Sequence, residues 1–147
     1  MSDFRPITDT ISVAPQINAD DIVHAAKDGI KLIINNRPDG EEFGQPTNAE
    51  LMEIATQNEL EWAYIPVAGG ELTVEAIEQL AYALDGTEGK VLAYCRSGTR
   101  SCTLWGLAQA YTGSMATDDI IKHAATAGYD ISNFAPTLEH LNQNAKS

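Results

Sequence analysis

A cysteine closing an apolar run, followed by a short polar loop with one glycine and two arginines, is the part of this sequence equipped for chemistry. The segment reads Tyr94-Cys95-Arg96-Ser97-Gly98-Thr99-Arg100-Ser101-Cys102. Before it, Lys90 to Tyr94 has the character of a strand. After it, Leu104, Leu107, Ala108 and Tyr111 recur at helical core spacing. A strand, loop and helix in this order let successive loop N–H groups point into one concavity. The helix N-terminus adds partial positive charge, so the loop can form a nest for an oxyanion. Gly98 permits the close backbone approach that a nest requires. Arg100 can present a planar fork of donors to a tetrahedral oxyanion, where a lysine would offer a point charge. Cys95 is the candidate nucleophile, because helix N-termini and nearby cations lower a thiol pKa from about 8.5 toward roughly 3.5–7.5. A thiolate facing a bound anion suits attack on phosphorus or on sulfur. Ser97, Gly98 and Thr99 line the loop, and Arg96 is expected at its rim.

The elements that must position this loop alternate along the chain. Ile11 to Val13 is a short strand, and Asn18 to Asp28 a helix with Ile22, Val23 and Ala26 on one face and Gly29 as its stop. Lys31 to Asn35 is a nearly continuous apolar strand, broken by the turn residues Arg37-Pro38-Asp39-Gly40. Thr47 and Glu50 fit a capping box for a helix to about Asn58, with Leu51, Ile54 and Ala55 as its buried stripe. Trp62 to Val67 is the next strand and Gly69-Gly70 the loop after it. Thr73 then caps a helix with Val74, Ile77, Ala81 and Leu84 facing inward. Thr117 caps a helix ending near Gly128, and Pro136 opens a last one. Strands alternating with helices imply an α/β sandwich with a largely parallel sheet flanked by helices. Ligands of such sheets bind beyond the carboxyl ends of the strands, where Cys95 and, after another strand, Arg37 fall.

Composition narrows the partners. The 147 residues carry 9 Lys and Arg against 21 Asp and Glu, a net charge of −12. Such acidity argues against a nucleic acid or an anionic membrane surface as partner, since both need a basic face. With 44% hydrophobic and 20% charged residues the chain is of ordinary globular composition, and its length suits one domain spanning residues 1–147. No stretch reaches the roughly 18 apolar residues of a membrane span, and the N-terminus lacks a signal-peptide pattern, so a cytoplasmic location is expected. Cys95 and Cys102 are too close to staple a fold, and Cys102 reads as a core residue rather than a resolving thiol. His24, His123 and His140 lie on three separate helical stretches, and no cluster has metal-ligand spacing. Neither a metal nor an organic cofactor is expected.

The loop resembles the cysteine P-loop of protein tyrosine and dual-specificity phosphatases. More broadly, the chain resembles the phosphatase-like family of bacterial beta-lactamase-hydrolase-like proteins. The residues that carry this are Ile11-Ser12-Val13-Ala14-Pro15-Gln16, Ile33-Ile34-Asn35-Asn36-Arg37-Pro38, Ile65-Pro66-Val67 and Tyr94 through Ser101, over residues 7 to 112. The resemblance implies a dual-specificity-phosphatase fold and hydrolysis of a phosphate monoester through a phosphocysteine. In that reading Cys95 attacks, Arg100 holds the phosphoryl oxygens, Ser101 assists breakdown of the intermediate, and Arg37 supplies a second cation. Two departures stand out. Four residues rather than five separate Cys95 from Arg100, with Tyr94 in place of the usual histidine. Where the phosphatases carry an aspartate after Ile-Pro-Val, this chain reads Ala68-Gly69-Gly70-Glu71, which leaves Asp39 and Glu71 as candidate general acids.

The shorter loop also resembles that of rhodanese-type sulfurtransferases, which carry a persulfide on the cysteine. A phosphate- or sulfate-binding module without turnover is a third reading of the same nest. In every case the partner is a phosphate ester or another small oxyanion, and the sequence sets no oligomeric state.

Overall fold

The computed structural model describes residues 2–69 and 72–145. The chain runs β1 (Arg5–Pro6), β2 (Ile11–Ala14), α1 (Ala19–Lys27), β3 (Ile30–Asn35), α2 (Asn48–Gln57), β4 (Glu61–Tyr64), α3 (Val74–Asp85), β5 (Lys90–Tyr94), α4 (Thr99–Thr112), α5 (Thr117–Thr126), a 3-10 turn (Ser132–Phe134) and α6 (Ala135–Ala145). The five strands form one sheet in the order β1-β2-β5-β3-β4, parallel throughout except for the β1–β2 pair.

Period-two alternation sends the strand side chains to two opposite layers. Ile11, Val13, Leu32, Ile34, Val91 and Ala93 meet α3, α4, α5 and α6 on one face. Ala14, Ile33, Leu92 and Tyr94 meet Ile22 and Ala25 of α1 and Leu51 and Ala55 of α2 on the other. The central strands are therefore apolar on both faces, as expected of a parallel sheet covered by helices. Helix α4 is enclosed nearly all round, with every residue from Ser101 to Ala108 buried. It packs against α3, α5 and α6 and against the sheet, so its N-terminus is held in a fixed place above the end of β5.

Several local expectations are corrected. The strand expected to reach Val67 ends at Tyr64. Pro66 has no N–H for a ladder, and the N–H groups of Ile65 and Val67 donate instead to Asn35 O and Asn36 O, both at 2.9 Å. Thr117 is the first residue of α5 rather than its cap. Ala116 holds the cap position, and the Thr117 hydroxyl accepts from Asn142 Nδ2 at 3.3 Å. At α2 only the Thr47 half of the expected box forms, by accepting from Glu50 N, whereas α1 has a full box between Asn18 and Asp21. Val23, Val74 and Tyr111 were expected inside and are exposed. Val23 falls off the stripe set by Ile22 and Ala25, Val74 opens α3, and Tyr111 lies in the last turn of α4.

One buried residue fastens the strand ends together. The N–H of Asn36 donates to Tyr94 O at 2.9 Å, its Nδ2 to Ile65 O at 2.9 Å, and its Oδ1 accepts from Ser101 Oγ at 2.8 Å. It thus joins the ends of β3 and β5, the chain after β4, and the first turn of α4. Replacing Asn36 by Ala should cost about 1–3 kcal/mol for each buried partner left unpaired, read by urea unfolding. A loss within experimental error would contradict the role assigned to it.

Candidate functional site

The loop from Cys95 to Arg100 turns directly from strand to helix. Cys95 N donates to Ala14 O at 3.3 Å, which extends the β2–β5 pairing by one step, and Gly98 N donates to Cys95 Sγ at 3.1 Å. Gly98 is the N-cap of α4 with φ +94°, in the left-handed region. A side chain here would be doubly opposed: its Cβ would collide with the Tyr129 hydroxyl and stand 2.9 Å from Tyr129 Cζ and 3.4 Å from the Ala14 carbonyl carbon. Tyr129 in turn holds the loop, donating from its hydroxyl to Ser97 O at 3.0 Å and accepting from Arg5 Nη1 at 2.9 Å. On the far side, Gln16 N donates to Arg96 O at 3.2 Å. Because Gly98 offers no side chain, α4 has no side-chain cap. Its first-turn N–H groups lack intrahelical acceptors and present the positive end of the helix beside Cys95.

Two guanidiniums converge at this end of the sheet. Arg100 donates through Nη1 to Val67 O at 2.7 Å and to Glu41 Oε2 at 2.8 Å, and through Nη2 to Glu41 Oε1 at 2.9 Å. Arg37 is only 2% exposed and donates through Nε to the same Glu41 Oε1 at 3.0 Å and through Nη1 to Gln16 Oε1 at 2.9 Å. Its Nη2 is buried without a hydrogen-bond partner, with Glu42 Oε1 at 3.6 Å. The Arg100 guanidinium beside Glu41 holds that carboxyl below the usual carboxylate range, with Arg37 acting in the same direction against the effect of burial. The Glu41 carboxylate raises the Arg100 pKa, burial opposes, and the adjoining Cys95 thiol adds to the rise.

The structure brings Cys95, Ser97, Gly98, Thr99, Arg100, Ser101 and Arg37 together at the carboxyl ends of β3 and β5. Ser101 is buried with its hydroxyl hydrogen directed to Asn36. Ser97 Oγ donates to Thr99 Oγ1 at 3.0 Å. Arg96 lies at the rim, 68% exposed and 3.4 Å from Glu42. Asp39 turns its carboxylate to α2, where Oδ1 accepts from Asn48 N at 2.8 Å. Glu71 lies outside the described residues. Cys102 sits in the core, and burial pushes its thiol pKa up to about 12. The histidines pair elsewhere: His24 with Phe4, His123 with Ile7 O and Trp105, and His140 with Asn144. Among the described residues, no group of three or more His, Cys, Asp or Glu side chains could hold a metal ion. No helix among them is long and apolar enough to cross a membrane.

Glu41, Asn36, Gln16 and Tyr129 are site residues that sequence reasoning missed. Glu41 had a usable signal, standing four residues after Arg37 across a Pro-Asp-Gly turn. Gln16 and Tyr129 reach the loop only through long-range folding.

The phosphatase-like domain model of the beta-lactamase hydrolase-like proteins matches residues 3–112. The chain belongs to that family. Among curated relatives, a beta-lactamase hydrolase-like protein of Xylella fastidiosa strain 9a5c is 34% identical over 133 residues, covering 90% of this chain and 31% of its own length. Another, from Agrobacterium fabrum, is 35% identical over 125 residues, covering 85% and 29%. The chain therefore spans about a third of the length of these relatives. Among solved structures, a candidate phosphatase of Neisseria meningitidis Z2491 is 32% identical and superposes with a TM-score of 0.83 over 96% of this chain and 99% of that one. The kinase-associated phosphatase, at 13% identity and a TM-score of 0.75 over 100% and 96% of the two chains, shares the fold. The family member described here thus has the dual-specificity and protein tyrosine phosphatase fold, and the expected sandwich is confirmed.

Within this family fold the left-handed turn at Gly98 is crowded, whereas Gly40, also left-handed at φ +77°, has nothing within 4 Å of an added Cβ. Both Gly→Ala changes pay the left-handed penalty of roughly 1–2 kcal/mol. Gly98→Ala should lose distinctly more stability in urea unfolding and also weaken inorganic phosphate binding. Equal losses at the two positions would contradict the clamp between Gly98 and Tyr129.

Proposed function

We propose that the chain hydrolyses a phosphate monoester through a covalent phosphocysteine on Cys95. The reading rests on the strand, loop and helix that put a cysteine sulfur, an N-terminal helix turn and the Arg100 fork around one small volume. The Cys95 thiolate attacks phosphorus, forming an S–P bond as the P–O bond to the leaving group breaks. The leaving oxygen departs with that electron pair and takes a proton from Glu71, the other candidate acid besides Asp39, or from water. Loop N–H groups, Arg100 and Arg37 stabilise the equatorial oxygens as their charge shifts, with Arg96 at the rim. A water then attacks phosphorus, the S–P bond breaks, and inorganic phosphate and the thiolate are released. With its own hydrogen committed to Asn36, the Ser101 oxygen is left as an acceptor that can orient this water. Asp39 is engaged at α2, and a general acid contributes about 10²- to 10⁴-fold. Substrates with good leaving groups, such as aryl phosphates, should accordingly turn over best.

Sulfur transfer by a Cys95 persulfide is a second reading, favoured by the four-residue spacing between Cys95 and Arg100. It would not need proton donation to an alkoxide. A binding module without turnover would retain the nest and lose the chemistry.

Cys95→Ser should abolish hydrolysis of an aryl phosphate while phosphate still binds. Arg100→Lys should lower kcat about 10²- to 10³-fold, the usual effect of removing a transition-state donor, and Arg96→Lys far less. Comparable small losses for both arginines would contradict the assignment, and turnover surviving Cys95→Ser would remove phosphocysteine chemistry altogether.

A further inference from the structure

The Arg37 and Arg100 pair is an anion site that already holds an anion. Both oxygens of Glu41 accept from the Arg100 fork, and one of them also accepts from Arg37 Nε. A guanidinium uses the same two-point geometry to hold two oxygens of a phosphate. Arg100 also interacts with the Cys95 side chain, so the guanidinium that holds the carboxylate is shared with the candidate nucleophile. Arg37 adds an independent observation. Its side chain is 2% exposed, yet Nη2 has no hydrogen-bond partner and only the more distant Glu42 Oε1, at 3.6 Å, as counter-charge. A buried charged donor without an acceptor is costly unless something else pairs with it. Glu41 cannot serve all the donors, since its two oxygens already accept three bonds from the two arginines.

The segment bearing Glu41 is built so that its side chain can move without the segment leaving. Its ends are tied by Asn48 N donating to Asp39 Oδ1 at 2.8 Å and by Gln45 Nε2 donating to Pro38 O at 2.9 Å. Between these ties the residues from Asp39 to Gly44 are exposed, and Gly40 and Gly44 hold left-handed conformations with open space around them. Rotation of the Glu41 side chain releases its three hydrogen bonds to the two arginines.

We propose that Glu41 is the resting ligand of a two-arginine oxyanion subsite, and that a phosphoryl group enters by exchanging with its carboxylate. The incoming group takes over the Arg100 fork and supplies the missing acceptor for Arg37 Nη2. This rests on the phosphatase reading of the loop and adds a specificity to it. Exchange replaces a carboxylate of charge −1, so a dianionic monoester gains more from the two guanidiniums than a monoanionic diester does. Glu41 acts here as a competitor and selector, and it takes no part in the bond changes.

Isothermal titration of the full chain with inorganic phosphate tests this without using turnover. If the uncovered state is about one-tenth populated, the apparent affinity is reduced about tenfold. Glu41→Gln and Glu41→Ala should then both bind phosphate about tenfold more tightly, with a matching fall in KM for an aryl phosphate. Glu53→Gln removes the same charge from an exposed position on α2, outside the ion pairs of both arginines, and its gain should be much smaller. Far-UV circular dichroism on each variant checks that it is folded. Unchanged or weaker phosphate binding in both Glu41 variants overturns the proposal, because Glu41 would then merely position the arginines. An equal gain in Glu53→Gln also overturns it, by assigning the effect to net charge. Phosphate affinity remains readable in a Cys95→Ser background, so failure of the exchange is distinguishable from failure of the phosphocysteine reading.

Discussion

The site depends on a single backbone constraint: at Gly98 the chain must turn left-handed between the end of β5 and the start of α4. A side chain at this position would strike Tyr129, and any L-residue would carry the strain of φ +94°. Given that turn, Gly98 N faces the Cys95 sulfur, α4 begins without a side-chain cap, and Arg100 emerges from its first turn toward Glu41. The partners of the loop come from far along the sequence. Tyr129 and Arg5 brace it from one side, and Gln16 and Asn36 from the other. The enclosure of α4 between the sheet and three other helices keeps this geometry from relaxing.

Charge is organised around the same loop. A chain with net charge −12 places three of its four arginines, Arg37, Arg96 and Arg100, at one end of the sheet and answers them with Glu41 and Glu42. Those acids reduce the local excess of positive charge while the site waits. The buried Arg37 is not fully satisfied by them, so the positive pocket is only partly neutralised. An acidic protein can therefore keep a local cluster of positive charge without a broad basic surface.

The architecture was largely legible because its causes are local. Apolar runs at Lys31 to Asn35 and Lys90 to Tyr94, turn residues after Arg37, and threonine caps at Thr47 and Thr73 each mark their own element. Boundaries failed where tertiary contacts decide them: Ile65 and Val67 bond to the last residue of β3 and to the residue after it while β4 ends at Tyr64, and Thr117 serves Asn142 rather than capping its own helix. At the site, Cys95, Arg100 and the loop between them could be read because strand, glycine and helix are contiguous. Glu41, Gln16, Asn36 and Tyr129 could not be read as a group, since their meeting is made by the sheet order and by the packing of α4. Arg37 was legible as a loop cation, but its near-complete burial and the lack of a hydrogen-bond partner at Nη2 were not. Asp39 shows the opposite case, an acid close to the site in sequence whose carboxylate instead serves the start of α2.

The most direct test of the central claim is the covalent state of Cys95 during turnover. The protein is mixed with an aryl phosphate, quenched in acid within the first turnovers, and analysed by intact mass and peptide mapping. The account predicts an adduct with the mass of one phosphoryl group on the peptide carrying Cys95, absent in Cys95→Ser and released as inorganic phosphate over time. A chain that forms no such adduct, but gains one sulfur atom on Cys95 when given thiosulfate, would contradict it.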